Sequence, residues 1–415
     1  MSAASPAMRA EKPDLVLLSA RFPYGEAVLR NELAVTAERF RRVFLVPSWT
    51  GPEAAEIPAN ASVVDLGWGA GWSRAEKIEA LRSRQASRIL RRTLRHRSNW
   101  HAYLGKARGY LDILAENLLK ARDLERWIAD SGLRDAIFYD FWFEDSTLAL
   151  AALRDRGAIR CAVSRAHRFD VFDFMRDDVP RVPFREFKAE SLDAIFAISE
   201  ESASYIRERV GASAGKVRLA RLGVPRPPAH PEGTAEPPLV VSCSTLIPRK
   251  RVQEVPAVLR ACGRPLRWVH FGEGSRRAGV EAAAATLPDT VDWELRGWVD
   301  NAAIREFYAT EPVSAFLSLS LSEGVPVSMM EAQSFGIPVV SLAVGAVPEV
   351  VTPGTGTLLP EEAGVPEVAA ALSEALAPER FDRDAIRAAH ASRYDATANY
   401  EEFAAALLEL WSVVI

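Results

Sequence analysis

Short buried strands that alternate with helical segments constrain the fold of this chain most strongly. An apolar run at 14–19 (DLVLLS) is followed by a helical pattern at 26–41 and a second apolar run at 43–47. Strand, helix and strand at this spacing form a βαβ unit, whose two strands are parallel. Further apolar runs extend the same sheet, at 136–139, 159–163 and 194–198. We therefore expect a doubly wound α/β domain in the first half of the chain.

A proline-rich segment then interrupts the alternation. Residues 225–238 read PRPPAHPEGTAEPP and contain six prolines, which exclude a helix or an interior strand. The alternation restarts after it, with apolar runs at 239–243, 266–271, 291–297, 313–317 and 337–342. The sequence thus predicts two Rossmann-like domains, 1–224 and 239–380, which face each other across a cleft. The segment 225–238 is the predicted linker, and we expect helices in 381–415 to return toward the first domain. Ligands of such sheets bind beside the carboxyl ends of the strands.

Composition narrows the class of protein. The 415 residues carry a net charge of −4, which gives no general case for nucleic-acid binding. Only three cysteines occur, without a CxxC pair, which is typical of a reducing compartment. The N-terminal residues lack the apolar run of a signal peptide, and no stretch of about 18 apolar residues could span a membrane. We expect a cytoplasmic protein.

Residues 321–351 (LSEGVPVSMMEAQSFGIPVVSLAVGAVPEVV) place carboxylates in an apolar setting. Pro326 suits the first turn of a short helix at 327–335, and Gly336 suits its end. The free N–H groups at the start of such a helix form a natural phosphate site. Glu323 precedes the helix, and Glu331 lies on the same helix face as Val327. The alternative is a charge–dipole pair together with a solvated glutamate.

This region resembles the E-x7-E signature of retaining glycosyltransferases of family 4. The resemblance is carried by Glu323-Gly-Val-Pro, Glu331-Ala, Gly336-Ile-Pro-Val-Val and Val344-Gly-Ala-Val-Pro-Glu349. The resemblance implies the GT-B fold and a nucleotide-sugar donor, UDP- or GDP-linked. It implies that Glu323 contacts hydroxyls of the donor sugar and that Glu331 binds the ribose. The sugar and diphosphate would lie against the backbone of Gly324, Val325, Pro326, Val327 and Ser328.

The same resemblance implies a reaction of the hexosyltransferase type. The front-face mechanism would need no metal and no other cofactor. The acceptor would be a glycan or a lipid-linked glycan in cell-surface polysaccharide or glycolipid biosynthesis.

A second segment, Ser242-Cys-Ser-Thr-Leu-Ile-Pro-Arg-Lys250-Arg251, resembles the part of the family that neutralises the donor diphosphate. Lys250 matches the family lysine. Thr245 stands where the family has arginine, so the second positive charge would come from Arg249 or Arg251. The alternative is a solvated basic turn.

Other stretches offer weaker candidates on the donor side. Gly272 lies in a turn that resembles the family's glycine-bearing turn, although many strand-to-helix turns use glycine. Trp298 and Val299 lie where the family reads the nucleobase, and Trp298 is equally typical of a core aromatic. Gly25 would let the backbone approach the diphosphate closely, or simply form a turn.

Two stretches of the first domain are candidates for the acceptor or a membrane. His167, a catalytic candidate, lies with Arg165 and Asp170 in a segment that resembles the family's histidine-bearing loop; a structural histidine is the alternative. Residues 74–97 form a basic amphipathic pattern that predicts contact with anionic lipid or a polyanionic polysaccharide. Its candidate arginines are Arg88, Arg91, Arg92 and Arg95, and a solvated surface face is the alternative.

Asp382-Arg-Asp384 matches a metal-binding DxD pattern, but helix capping explains it better. We therefore predict no metal ligands. Two alternative functions stay open: a nucleotide-sugar epimerase on the same fold, and a non-catalytic GT-B protein that binds a glycan or a membrane.

Overall fold

In the computed structural model the described residues are 12–23, 27–52, 55–96, 100–173, 182–227, 229–231, 233 and 235–415. The chain divides into two compact units. The first comprises the residues up to Ile198, Ser202–Ala220 and Tyr400–Ile415. The second comprises Ser199–Glu201 and Arg221–Asn399.

The sheet of the first unit is parallel throughout. Its strands are β1 (Leu15–Phe22), β2 (Val43–Thr50), β3 (Ala61–Val63), β4 (Ile137–Asp140), β5 (Cys161–Ala166), β6 (Ala194–Ala197) and β7 (Val217–Leu219). They lie in the order β3-β2-β1-β4-β5-β6-β7. The order reverses between β1 and β4, as in a doubly wound sheet. The predicted doubly wound α/β fold is confirmed, while the short edge strands β3 and β7 were not predicted.

Helices connect these strands. They are α1 (Ala27–Thr36), α2 (Arg74–Leu81), α3 (Arg84–Leu94), α4 (Trp100–Gly105), α5 (Ala107–Ser131), α6 (Asp145–Asp155), α7 (Arg185–Ser191) and α8 (Glu200–Tyr205). The basic stretch at 74–97 is therefore two helices within its described part. Ser73 caps α2 and Ser83 caps α3, so the chain restarts a helix at each serine.

The second unit repeats this architecture. Its strands are β8 (Leu239–Cys243), β9 (Leu266–Phe271), β10 (Val291–Leu295), β11 (Val313–Ser318), β12 (Val339–Leu342) and β13 (Gly356–Leu359). They are parallel, in the order β10-β9-β8-β11-β12-β13. The order reverses between β8 and β11, so the loops that follow these two strands emerge side by side.

The helices of the second unit are α9 (Val255–Ala261), α10 (Arg277–Ala284), α11 (Asn301–Thr310), α12 (Val327–Ser334), α13 (Val347–Val350), α14 (Val365–Ala375) and α15 (Arg383–Tyr394). A last helix, α16, spans Ala396–Val414. Phe403 and Leu407 of α16 pack into the core of the first unit beside Leu15 and Phe40.

The boundaries of the units differ from the predicted ranges. The main part of the second unit begins at Arg221. The backbone of Val224 pairs there with the backbone of Asp395, and the guanidinium of Arg226 donates to the Asp395 carboxylate. The start of the predicted linker is thus part of the second unit. α15 also stays there, packed so closely on the end of α12 that a Cβ on Gly336 would meet Arg387. Of the C-terminal residues 381–415, only those from Tyr400 onward belong to the first unit.

Candidate active site

The adjacent loops after β8 and β11 bring Lys250 and Glu323 together. Lys250 ends a 3₁₀ turn that follows β8, and Glu323 lies in the loop that follows β11. Lys250 Nζ lies 2.6 Å from Glu323 Oε1, and the two side chains are 17% and 13% exposed. The N–H of Leu321 donates to the carbonyl of Arg249 at 2.9 Å, so a backbone bond also joins the loops. The charges meet because strand order places their loops side by side.

The two arginines that flank Lys250 differ in their availability. Arg251 has a φ of +51° and bonds the carboxylate of Glu254 through both Nε and Nη2. This bond raises the pKa of the Arg251 guanidinium above its ordinary value. Arg249 is exposed, and no ion pair joins it to any carboxylate in the described part of the chain. Of the two arginines, Arg249 is the one without an ion pair to a described carboxylate.

The helix α12 begins directly beyond Glu323 with uncapped N–H groups. Its N-cap residue, Pro326, provides no side-chain acceptor. Met329 and Met330 donate their N–H groups to the carbonyl of Pro326. The N–H groups of Val327 and Ser328 precede the first intrahelical bonds and are available to an anion. The predicted short helix is confirmed, as is its end, since Gly336 has a φ of +76°.

Glu331 is buried on α12 and hydrogen-bonded. Its side chain is 3% exposed, and Oε1 accepts a hydrogen bond from Asn301 Nδ2 at 2.5 Å. Burial raises the pKa of Glu331, and the Asn301 hydrogen bond and the charge of Arg305 oppose that rise. With Glu323 also largely buried, the alternative of a solvated glutamate is wrong for both residues.

Sequence reasoning did not find Asn301 or a histidine that supports the loop after β8. The indole N–H of Trp268 donates to Ser242 Oγ at 2.9 Å, and Ser242 lies 2.8 Å from His270 Nδ1. His270 Nε2 donates in turn to the carbonyl of Ser244 at 3.1 Å. Burial lowers the pKa of His270 to about 4, so the imidazole is neutral. This chain of bonds fixes the backbone from which the loop to Lys250 departs.

Glycines let three loops approach one another at this edge of the sheet. Gly272 has a φ of +141°, and a Cβ there would lie 1.9 Å from the carbonyl oxygen of Ser244. Its N–H donates to the carbonyl of Gly297 at 2.8 Å. Trp298, the next residue, is 78% exposed, so the alternative of a core aromatic is wrong. Val299 is half-buried. Gly25 lies outside the described residues.

In the first unit His167 is buried and held in one orientation. Its Nε2 donates to the carbonyl of Phe141 at 3.1 Å, and its ring lies 4.2 Å from the ring of Trp142. Burial, followed by the charge of Arg165, lowers the pKa of His167 to about 3. A neutral imidazole whose N–H is occupied does not suit acid–base catalysis. This geometry favours the structural alternative for the side chain.

Arg165 and Asp170 are fully buried. Arg165 Nη2 lies 3.0 Å from Glu32 Oε2, and its guanidinium packs 4.2 Å from the ring of Phe403. Asp170 Oδ2 accepts the N–H of Phe143 at 2.6 Å. Neither side chain offers a surface to an acceptor, so that prediction is wrong for both.

The arginines of α3 are mostly paired with carboxylates. The contacts join Arg88 to Asp155 at 2.9 Å, Arg92 to Asp155 at 2.6 Å and to Glu190 at 2.5 Å, and Arg95 to Glu190. The apolar face of this helix is also occupied, because Ile89 is fully buried in the core. Arg91 is exposed and bonds the carbonyl of Ser87. Arg88, Arg92 and Arg95 are therefore ion-paired, and their contact with anionic lipid or polysaccharide stays a prediction. No helix in the described part of the chain is long and apolar enough to cross a membrane.

The predicted helix cap at the DxD pattern is confirmed. Asp382 Oδ1 accepts the N–H groups of Asp384 and Ala385 at the start of α15. Asp384 pairs with Arg387 one turn further along.

Residues 238–378, which include the loops of Lys250 and Glu323 and the whole of α12, match the family Glycosyl transferases group 1. The matched residues lie within the second unit. The match supports glycosyltransferase as the enzyme class. No curated protein sequence matches the chain.

Solved structures share the fold over nearly the whole chain. Sucrose-phosphate synthase from Thermosynechococcus elongatus has a TM-score of 0.70 at 17% identity, covering 97% of this chain and 100% of that one. The apo form of the lipopolysaccharide outer core galactosyltransferase WaaB has a TM-score of 0.66 at 16% identity, covering 95% and 99%. Anabaena Alr3699/HepE, solved in complex with UDP-glucose, has a TM-score of 0.61 at 12% identity, covering 96% and 100%. At these identities the likeness shows the fold alone, and the fold is GT-B.

Proposed function

We propose that this protein is a retaining glycosyltransferase of family 4, which transfers a sugar from a nucleotide diphosphate donor to a glycan or lipid-linked glycan. The observation that carries the proposal is the Lys250–Glu323 pair beside the uncapped start of α12, within a group 1 glycosyltransferase domain. The cation and the free N–H groups there can bind the two phosphates of a sugar diphosphate, and the carboxylate can accept hydrogen bonds from its sugar hydroxyls.

The diphosphate is bound by Lys250, by Arg249 and by the N–H groups of Val327 and Ser328. Two phosphates carry more charge as they leave than in the bound donor, so fixed positive groups at this position favour the transition state. Arg249 takes the place of the arginine that is missing at Thr245, because Arg251 is already bonded to Glu254.

The two glutamates recognise hydroxyl groups. Glu323 accepts hydrogen bonds from the donor sugar, and Glu331 accepts them from the ribose. Asn301, bonded to Glu331, orients its carboxylate toward that task. The exposed ring of Trp298 lies next to Gly297 and is available to the nucleobase.

The reaction proceeds on one face of the sugar. The bond from the anomeric carbon to the diphosphate breaks as the acceptor oxygen approaches from the same side, and the departing phosphate oxygen takes the acceptor proton. The configuration of the anomeric carbon is then retained. The positive charge that stabilises the leaving group comes from Lys250, Arg249 and α12, so the proposal includes no metal.

The nucleoside of the donor is uridine or guanosine. HepE has been solved with UDP-glucose, and the occurrence of that ligand on the same fold supports a uridine donor here. The galactosyltransferase WaaB supports a hexose as the transferred sugar.

We place the protein in the cytoplasm, at the inner face of an anionic membrane. Trp100 and Leu104, 49% and 75% exposed, lie one helical turn apart on α4. The exposed cations Arg91, Lys106 and Arg108 lie on α3 and around the start of α5. Exposed aromatic and aliphatic side chains with nearby basic residues are typical of an interfacial surface.

One experiment separates the candidate functions. The protein is incubated with UDP-, GDP- and ADP-sugars, and release of nucleoside diphosphate is followed with and without lipid-linked glycan. Release that an acceptor accelerates, with the anomeric configuration of the product unchanged by NMR, supports the proposal. A new epimer without nucleotide release would identify an epimerase, and inversion at the anomeric carbon would contradict the front-face mechanism. Binding of no sugar nucleotide would overturn the enzyme function itself.

A further inference from the structure

The two charged groups of the candidate donor site are each other's partners. Lys250 Nζ contacts Glu323 Oε1 at 2.6 Å, and both side chains are more than four-fifths buried. Within the described part of the chain, Glu323 is the carboxylate that lies within ion-pair distance of Lys250. A carboxylate oxygen thus lies where the lysine would otherwise meet a phosphate oxygen.

Among the described residues, the other charged side chains near this ion pair form no ion pair with it. Arg251 is held by Glu254, and Glu331 is bonded to Asn301. Arg249 is exposed on the other side of Lys250 in sequence and forms no ion pair with a described carboxylate. Glu323 therefore neutralises one of the two cations proposed for the diphosphate, and leaves the other free to meet an incoming ligand.

A diphosphate cannot bind Lys250 while Glu323 is ion-paired with it. If the carboxylate stays, it repels the phosphate at close range, and if it withdraws, it loses its ion pair in a poorly solvated position. A complete sugar nucleotide offsets that loss, because its sugar hydroxyls can donate hydrogen bonds to Glu323. A free nucleoside diphosphate has no sugar at this position and offers no such compensation.

We propose that Glu323 is the internal counterion of Lys250 and exchanges the lysine for sugar hydroxyls when a donor binds, so that the site discriminates against free nucleoside diphosphate. The proposal rests on the proposed function, since it assigns Lys250 to the diphosphate and Glu323 to the sugar. After transfer the sugar leaves with the acceptor, and Glu323 again lacks hydroxyl partners. It then returns to Lys250 and displaces the product diphosphate, which limits product inhibition.

The test compares the binding of free diphosphates and of intact donors to Glu323→Gln. Glutamine keeps the shape of the side chain and can still accept a hydrogen bond, but it removes the charge. Isothermal titration calorimetry is performed with UDP, GDP and ADP, with inorganic pyrophosphate as a base-free competitor and with the sugar nucleotide that the wild-type protein turns over. We expect Glu323→Gln to bind the free diphosphate and pyrophosphate about tenfold more tightly than wild type. Its affinity for the sugar nucleotide should not rise.

Controls keep the result specific. Glu311→Gln removes a carboxylate of the same unit that is ion-paired with Arg267 at the amino ends of the strands, and should leave both affinities unchanged. Glu323→Ala serves as the second variant, with circular dichroism to confirm folding; it should also gain affinity for the free diphosphate.

The outcomes separate this inference from the proposed function. Unchanged or weaker binding of free diphosphate by both Glu323 variants, in a protein whose wild type turns over a donor, overturns the exchange alone. An equal gain for diphosphate and sugar nucleotide also overturns it, because simple removal of negative charge would explain both. A wild-type protein that binds no sugar nucleotide overturns the proposed function.

Discussion

Glu331 Oε1 lies 2.5 Å from Asn301 Nδ2, so the buried carboxylate of α12 accepts its hydrogen bond from the first residue of α11. The carboxylate is 3% exposed, and burial raises its pKa above the ordinary value of 4.5. Because the folded state holds the proton more tightly than the unfolded state, Glu331 lowers stability as the pH rises above that value. This cost in stability is what the proposed role of Glu331 in donor binding would explain.

We therefore predict that Glu331→Gln stabilises the ligand-free protein and weakens donor binding. The free energy of unfolding should rise by about 1 kcal/mol at neutral pH, because glutamine still accepts the Asn301 bond without a buried charge. Donor affinity should fall about tenfold as the charged acceptor for the ribose is lost. Denaturant unfolding from pH 4 to pH 8 should show the stability difference growing with pH. A destabilised variant, or one with unchanged donor affinity, would contradict this role.

Alanine variants of Arg249 and Arg251 can be compared directly, because the two arginines flank Lys250 and differ in whether they are ion-paired. Arg249→Ala should lower the transfer rate roughly tenfold or more, because the proposed second cation on the leaving diphosphate is lost. Arg251→Ala should change the rate little and affect mainly stability, since Arg251 is already bonded to Glu254. Steady-state kinetics with a saturating acceptor measure both variants. A larger rate loss for Arg251→Ala would reverse the assignment.

His167 should contribute to the pH dependence of stability but not to that of catalysis. Its pKa falls from 6.5 to about 3 on burial, so the stability that depends on the neutral ring is present above pH 6.5 and is lost as the pH falls toward 3. His167→Gln can still donate to the Phe141 carbonyl and should show a weaker loss of stability in acid. Its activity profile between pH 5 and pH 8 should keep the wild-type shape. A shifted optimum would restore His167 as an acid or base.

The exposed residues of α4 provide the test for membrane contact. Trp100→Ser combined with Leu104→Ser should weaken binding to vesicles of phosphatidylglycerol roughly tenfold or more, because two large apolar side chains no longer enter the interface. Val413→Ser, which changes an equally exposed apolar residue of α16, is the control. Cosedimentation measures binding, with phosphatidylcholine vesicles as the uncharged reference. Equal binding by both variants and wild type would remove the membrane from the proposal.

The sequence indicated the interior strands well and three of the four edge strands poorly. β8 and β9 were predicted residue for residue, because each is a buried apolar run bounded by turn residues. β3, β7 and β13 lie at sheet edges and have only three or four residues each, which is too short for a periodic pattern. The Glu323–Glu331 region could be predicted because its loop, helix and glycine stop are contiguous in the chain.

Side-chain partners that are distant in sequence could not be predicted. Arg165 was expected to meet an acceptor, but Glu32 faces it across the core and neutralises it. Likewise Asp155 and Glu190 pair with arginines of α3 because α6 and α7 pack nearby, which no local pattern indicates. Asn301 was missed for the same reason, since it reaches Glu331 from another helix.

A crystal structure with the preferred sugar nucleotide tests the central claim most directly. The proposal predicts diphosphate oxygens about 2.8 Å from Lys250 Nζ and close to the N–H groups of Val327 and Ser328, with Glu323 turned from Lys250 to the sugar. A donor bound elsewhere in the protein, or one bound here while Lys250 and Glu323 stay paired, would contradict it.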